Sequence, residues 1–274
     1  MFGFLKRKKL APAPAPTPTV AEHFEYSGYK IPMDLLISTG GGPGSFQGII
    51  DEHMNILRSE VGIFPDSHVV EIGCGIGRDA MPLSQIIGTD GSYLGIDVIQ
   101  PSIQFCIENI TKRYPNFRFA HFDVYEGLYN PTGKFRLQEL TIPAADNSID
   151  VIILHSVFTH MMEDDIMHYL KEFARILKPT GKVLATFFVV DDEIRKSAQI
   201  RQYLSFNHKR SPDCYIEDLS IPTRAVGYTE AALRSMVTRA GLKLSRPICF
   251  GFWSGHHPAP HYGGQDALIM QRDI

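Results

Sequence analysis

Cysteine is scarce: Cys74, Cys106, Cys214 and Cys249 are the only four in 274 residues, and none forms a CxxC pair. That spacing excludes a zinc ribbon and a disulfide-stapled fold. It suits a reducing compartment, so a cytoplasmic location is expected. No apolar run approaches the roughly 20 residues needed to span a bilayer. Neither sign of charge prevails, since 27 Lys and Arg against 30 Asp and Glu leave a net charge of -3. Nucleic acid is therefore not expected as a partner, because no basic field would draw it over the whole surface. Internal repeats are absent. What remains is the balance of a globular chain, 44% hydrophobic and 21% charged, long enough to bury a core without staples.

The opening MFGFLKRKK places apolar residues before charges, the reverse of a secretory signal. Through Phe2, Phe4, Leu5 and the basic run 6–9, residues 1–9 would make at most a weak contact with an anionic membrane surface. APAPAPTPT (11–19) is an extended Pro-rich spacer. Residues 1–21 thus read as a disordered basic and Pro-rich tail, and residues 22–274 as the folded domain.

From residue 68 strand-like and helix-like segments alternate. Strands are expected at HVVEIG (68–73), SYLGIDV (92–98), NFRFAHFDV (116–124), SIDVIILHS (148–156) and KVLATFFVV (182–190). Helices are expected over 77–88, from Pro101 to Tyr114, and over 164–177, where Ile166, Leu170, Phe173 and Leu177 share a face. A helix over 229–240, capped by Thr229, and strands at 242–250 and 265–271 complete the pattern. This βαβ rhythm implies an α/β fold with a mostly parallel sheet and helices on both faces. Residues 191–226 differ: they are polar and mixed, with Tyr203, Phe206, His208, Lys209 and Arg210. They read either as a lid over an acceptor or as a solvated loop.

The sharpest local feature is Glu71-Ile-Gly73-Cys74-Gly75-Ile-Gly77-Arg78 at a strand-to-helix turn. Glycines there permit a tight turn and close approach of a ligand to the main chain. Asp97 ends the second strand, where a carboxylate can accept from both hydroxyls of a ribose. Dinucleotide enzymes use the same geometry, and Gly75, Gly77 and Ala80 satisfy their looser pattern. The turn alone leaves both cofactor classes open.

VVEIGCGIGR resembles motif I of the class I S-adenosylmethionine-dependent methyltransferases. IPAADNSIDVIILHSVFTHM (142–161) resembles their fourth-strand region, and RILKPTGKVLATFF (175–188) their passage into strand five. The resemblance implies a Rossmann-like fold: a seven-stranded, mostly parallel sheet with an antiparallel last strand. It implies S-adenosyl-L-methionine as cofactor. Gly73, Cys74, Gly75 and Gly77 would form the loop facing its methionine part, and Glu71 would help hold that end. Asp97 would bind the ribose, with Val98 beside the adenine. Asp123 would accept from the adenine amino group, and the Val124 amide would meet a ring nitrogen. Leu154, His155 and Phe158 would line the sulfonium side. The segment VYEGLYNPTGKFRLQEL (124–140) departs from many small-molecule relatives, and Tyr129 and Asn130 in it shape either the acceptor side or a plain turn.

Methyl transfer to a hydroxyl is helped by a base, and histidine suits that work. His155 and His160, flanking the SVFT turn, are the catalytic candidates. His256, His257 and His261 lie near Trp253, but HHxxxH lacks the spacing of a strong zinc motif, so no metal is expected. The expected function is O-methylation of a small-molecule or glycan acceptor. The alternatives are a nicotinamide-dependent oxidoreductase and a non-catalytic S-adenosylmethionine-binding scaffold.

Overall fold

A computed structural model describes residues 22–196, 204–257 and 263–274. The N-terminal tail, Tyr203 and His261 lie outside the described residues. A hairpin of β1 (His23–Tyr26) and β2 (Tyr29–Pro32) comes first. Helices α1 (Met33–Ser38) and α2 (Phe46–Ile56) follow. Next come β3 (His68–Ile72), α3 (Ala80–Leu83), β4 (Ser92–Asp97), α4 (Gln100–Cys106) and β5 (Phe117–His121). Then β6 (Ile149–Leu154), α5 (Glu163–Ile176), β7 (Leu177–Phe187) and α6 (Asp192–Lys196) complete the middle of the chain. The remainder holds β8 (His208–Ser211), β9 (Cys214–Ile216), β10 (Val226–Tyr228), α7 (Glu230–Arg239), β11 (Leu242–Leu244) and β12 (Asp266–Arg272).

Seven strands form one sheet in the order β11-β12-β7-β6-β3-β4-β5. Strands β3 to β7 run parallel, whereas β12 is antiparallel to β7 and β11 to β12. This is the expected Rossmann-like α/β sheet. Its strands are apolar on both faces because helices cover both. Val70, Ile72, Ile152 and Leu154 pack with Ile166, Leu170 and Phe173 of α5 and Leu233 of α7. Their alternates Val69, Val151 and Ile153 pack with Phe46, Ile50 and Met54 of α2 and Phe105 of α4. Burying one such side chain contributes about 1.5–3 kcal/mol. Acids in the first turn of α5, Glu163, Asp164 and Asp165, complement the helix dipole.

Three expected elements come out shorter. The helix expected over 77–88 is regular only from Ala80 to Leu83. The Ser84 hydroxyl donates to the Met81 carbonyl at 2.7 Å, and the Gln85 amide turns to Pro82 instead, which tightens the chain out of the α-helix. The helix expected from Pro101 to Tyr114 is α-helical through Cys106 and then widens into a π-turn at Ile107–Thr111. The strand expected over 242–250 ends at Leu244, because Pro247 has no amide to donate; pairing resumes only at Cys249 with Ala267. Residues 191–226 hold structure that polar texture conceals: β8, β9 and β10 form an antiparallel sheet in the order β10-β9-β8, and Cys214, Ile216 and Val226 join the main core. Among the described residues, no helix is long and apolar enough to cross a membrane.

Strand β3 pairs with β4 on one side and β6 on the other. The chain leaves β3 toward β4 and returns across the sheet to β6, so a crevice opens at the carboxyl ends of these strands. Open α/β sheets bind ligands at such a switch point.

Candidate active site

A cavity of about 570 Å³ fills that crevice. Its size is that of a site for one or two small molecules. The glycine loop after β3 supplies one wall. Gly73 and Gly75 have φ of +75° and +51°, where a side chain is strained. A Cβ on Gly73 would meet Val157 at 2.4 Å, and one on Gly75 would meet Thr39 at 2.6 Å. The bare backbone therefore stays open to the cavity between two neighbouring segments. Gly77 turns away from it, toward Ile110 and Cys106.

Asp97 locks this loop to the next strand. Its Oδ2 accepts from the Gly75 amide at 2.7 Å and its Oδ1 from the Ile99 amide at 2.8 Å. Burial pushes its carboxyl up, and the amide hydrogen bonds oppose that shift. Glu71 lies deeper and accepts from the Tyr93 hydroxyl. Burial first, and the charge of Asp79 second, push the Glu71 carboxyl well above the usual range.

Of the residues named from the sequence, the cavity wall brings together Glu71, Gly73, Cys74, Gly75, Asp97, Val98, His155 and His160. Tyr129 also reaches it, together with Glu126 from the same interposed segment. Gly77, Asp123, Val124, Leu154 and Phe158 do not line it. Leu154 and Phe158 are core residues with no exposed surface, since strand alternation turns Leu154 into the layer beneath α5. The Asp123 carboxylate is held outside by Asn130 at 3.3 Å and Lys134 at 3.3 Å. The Val124 amide donates to the Phe122 carbonyl at 2.7 Å, and Val124 itself joins the core. Phe122 takes the place on the wall. His256 and His257 stand apart, with His257 stacked on Phe250.

Several wall residues were not foreseen, those of one helix face among them. Helix α2 presents Ile49, Glu52 and His53 to the cavity at helical spacing. His53 Nδ1 lies 2.9 Å from both oxygens of Asp79. His155 Nε2 lies 3.5 Å from Asp79 Oδ2, and the two imidazoles stack with centroids 3.5 Å apart. Burial alone would raise the Asp79 carboxyl, but His53, His155 and Arg78 outweigh it and hold it at about 2. Burial, reinforced by His53, lowers His155 to about 3 against the opposing pull of Asp79. Arg78 donates to the carbonyls of Thr39, at 2.5 Å, and Gly40, at 2.6 Å, and so fastens the α1–α2 connection over the glycine loop. The signals for this wall were the i, i+3, i+4 stripe of α2 and an acid directly after Gly77-Arg78.

His160 occupies the opposite part of the wall. Its Nδ1 lies 3.0 Å from the Thr223 carbonyl, and its ring meets Tyr129 edge-on. A carbonyl only accepts, so Nδ1 carries the proton and Nε2 keeps its lone pair. The Thr223 hydroxyl also donates to Glu126 at 3.1 Å. The 191–226 segment thus braces two wall residues, although none of its described residues lines the cavity.

Residues 69–181 match a family model described as a methyltransferase domain. The arsenite methyltransferase of Aquipseudomonas alcaligenes is 29% identical over 47% of this chain and 36% of its own length. The tRNA N(3)-cytidine methyltransferase of Gallus gallus is 24% identical over 64% of this chain and 42% of its own. The chain therefore spans about two fifths of the curated relatives it matches. Among solved structures, magnesium protoporphyrin IX methyltransferase of Synechocystis PCC 6803, with bound SAH, superposes with a TM-score of 0.52 at 16% identity. That match covers 87% of this chain and 93% of the other, and at this identity it shows the fold.

Proposed function

We propose that this chain, whose residues 69–181 match a methyltransferase domain, is a class I S-adenosylmethionine-dependent methyltransferase that methylates an oxygen of a small-molecule or glycan acceptor. The observation that carries this reading is the shared cavity: the glycine loop and Asp97 line one part of it, His160 and Met161 another. When bound, S-adenosylmethionine supplies a methyl carbon activated by positive sulfur. The open backbone of Gly73 and Gly75 and the carboxylate of Asp97 fit a ligand with a ribose and a polar chain. Glu71 bounds the same region from below.

His160 is the base in this reading. With Nδ1–H held by the Thr223 carbonyl, Nε2 would be the atom that takes the proton of an acceptor hydroxyl during methyl transfer. Base catalysis of this kind contributes roughly 100- to 10,000-fold. The larger share comes from holding the acceptor in line and excluding water, which is worth about 7–11 kcal/mol. His155, lowered to about 3 by burial, is a poor base and acts as a wall of the site.

The wall bears Glu52, Asp79, Asp97 and Glu126, with Glu71 pushed toward its neutral form, against one arginine, Arg78. That balance disfavours a polyanionic acceptor and supports a neutral one with an apolar body against Ile49, Met161 and Phe252. A labelled-methyl assay on metabolite, glycan and RNA fractions, with product identification, tests the proposal. A labelled methyl ether on a small molecule or glycan is expected. Label confined to RNA, or to nitrogen or arsenic in the product, overturns it.

A further inference from the structure

We propose that His53, Asp79 and His155 form a binding site for one divalent transition-metal cation in the cavity wall. The three donors come from three separate places: α2, the entry to α3, and the end of β6. Their ligand atoms all lie within 4.8 Å of one another. The Asp79 oxygens stand 2.9 Å from His53 Nδ1 and 3.5 Å from His155 Nε2. Two ligands bound about 2.0–2.1 Å from one ion, at angles between octahedral and tetrahedral, are about 2.9–3.4 Å apart. The 2.9 Å separation lies within that range and the 3.5 Å one just outside it, so small side-chain shifts would gather the donors around a single metal.

The chemistry of the set agrees. A carboxylate with two imidazoles suits zinc, iron, cobalt, nickel or manganese better than magnesium or calcium, which take oxygen ligands. Metal ligands must be deprotonated, and protonation competes with binding.

The stacked rings set one geometric condition. Their planes differ by only 8°, so their in-plane lone pairs run side by side and do not converge. One ring must turn out of the stack to share an ion. His53, whose side chain is 13% exposed against 8% for His155, is the ring with room to do so. Three protein ligands would leave positions open to the cavity, where an acceptor oxygen or water would complete the shell.

The test uses the full chain, freed of metal with a chelator and titrated with Co²⁺ as an optical probe, without S-adenosylmethionine. One Co²⁺ per chain is expected, with visible bands that Zn²⁺ displaces. Affinity should fall about 100-fold or more in Asp79→Asn and in His53→Ala. His53→Ala guards against an unfolded Asp79 variant: its circular dichroism and melting should stay near those of the parent. His256→Ala, outside the set, should bind as the parent does. Absence of Co²⁺ binding, or binding unchanged in His53→Ala, overturns the proposal and leaves a hydrogen-bonded His53–Asp79 pair with His155 stacked against it. The readout needs no turnover, so its failure is separate from a failure of the methyl-transfer reading.

Discussion

Substituting Gly75 by alanine is the sharpest perturbation of the loop that faces the cavity. The backbone there has φ of +51°, and a residue with a Cβ pays about 1–2 kcal/mol in that region. The added methyl would lie 2.6 Å from Thr39 Cγ2, 3.0 Å from its Oγ1 and 3.3 Å from its Cβ. Overpacking of this kind costs about 1–3 kcal/mol. The sum, about 2–5 kcal/mol, lowers the melting temperature by roughly 5–15 °C for a domain of this size. The two contributions can be separated because one belongs to Gly75 alone and the other to the pair. Thr39→Ala removes the two nearest atoms and should restore at least about 1 kcal/mol in the Gly75→Ala background. The assay is urea or thermal unfolding of the four proteins in a double-mutant cycle. Strict additivity would refute the placement of Thr39 over the loop, and with it the claim that the α1–α2 connection roofs the site.

Three further outcomes follow from the same geometry. Asp97→Asn should weaken S-adenosylmethionine binding about 10- to 100-fold in calorimetry, because a charged acceptor becomes neutral; an unchanged Kd would place the ribose elsewhere. His160→Ala should lower turnover on an identified acceptor by at least about 100-fold while cofactor affinity holds; full activity would remove His160 as the base. Asp266 concerns stability and pH. It accepts from the Val189 and Gly251 amides and the Trp253 indole at 2.8–2.9 Å, and burial raises its carboxyl from 3.8 to about 6. The folded chain thus holds this proton more tightly than the unfolded chain between those values. Stability from this group rises as pH falls from about 6 toward 3.8, by on the order of 3 kcal/mol. In urea titrations the stability of the parent relative to Asp266→Asn should grow on acidification from pH 7 to pH 4. A flat difference would contradict the raised carboxyl.

The sheet was legible because its strands are short, continuous apolar runs, HVVEI and IDVIIL among them, bounded by turn residues. The cavity-lining loop was legible for a related reason: Gly73, Gly75 and Asp97 sit at strand ends, where local sequence decides position. Helix α3 was overestimated because a serine hydroxyl, which periodicity ignores, takes a helix carbonyl. The small sheet of β8, β9 and β10 escaped notice because its strands have three or four residues, and β8 is largely exposed. The cluster of His53, Asp79 and His155 was illegible for a deeper reason. No single segment holds it; it exists only once α2 packs beside the loop after β3 and the end of β6. Leu154 and Phe158 show the converse. The resemblance put both on the sulfonium side with His155, but alternation and the turn send them into the core.

Methyl transfer requires that the glycine loop and Asp97 serve an adenosylated sulfonium ligand and not a dinucleotide. Calorimetry of the full chain with S-adenosylmethionine and, separately, with NAD measures that directly. Saturable binding of S-adenosylmethionine at one site per chain, weakened by Asp97→Asn, is predicted. Binding of NAD with no S-adenosylmethionine binding would contradict the account.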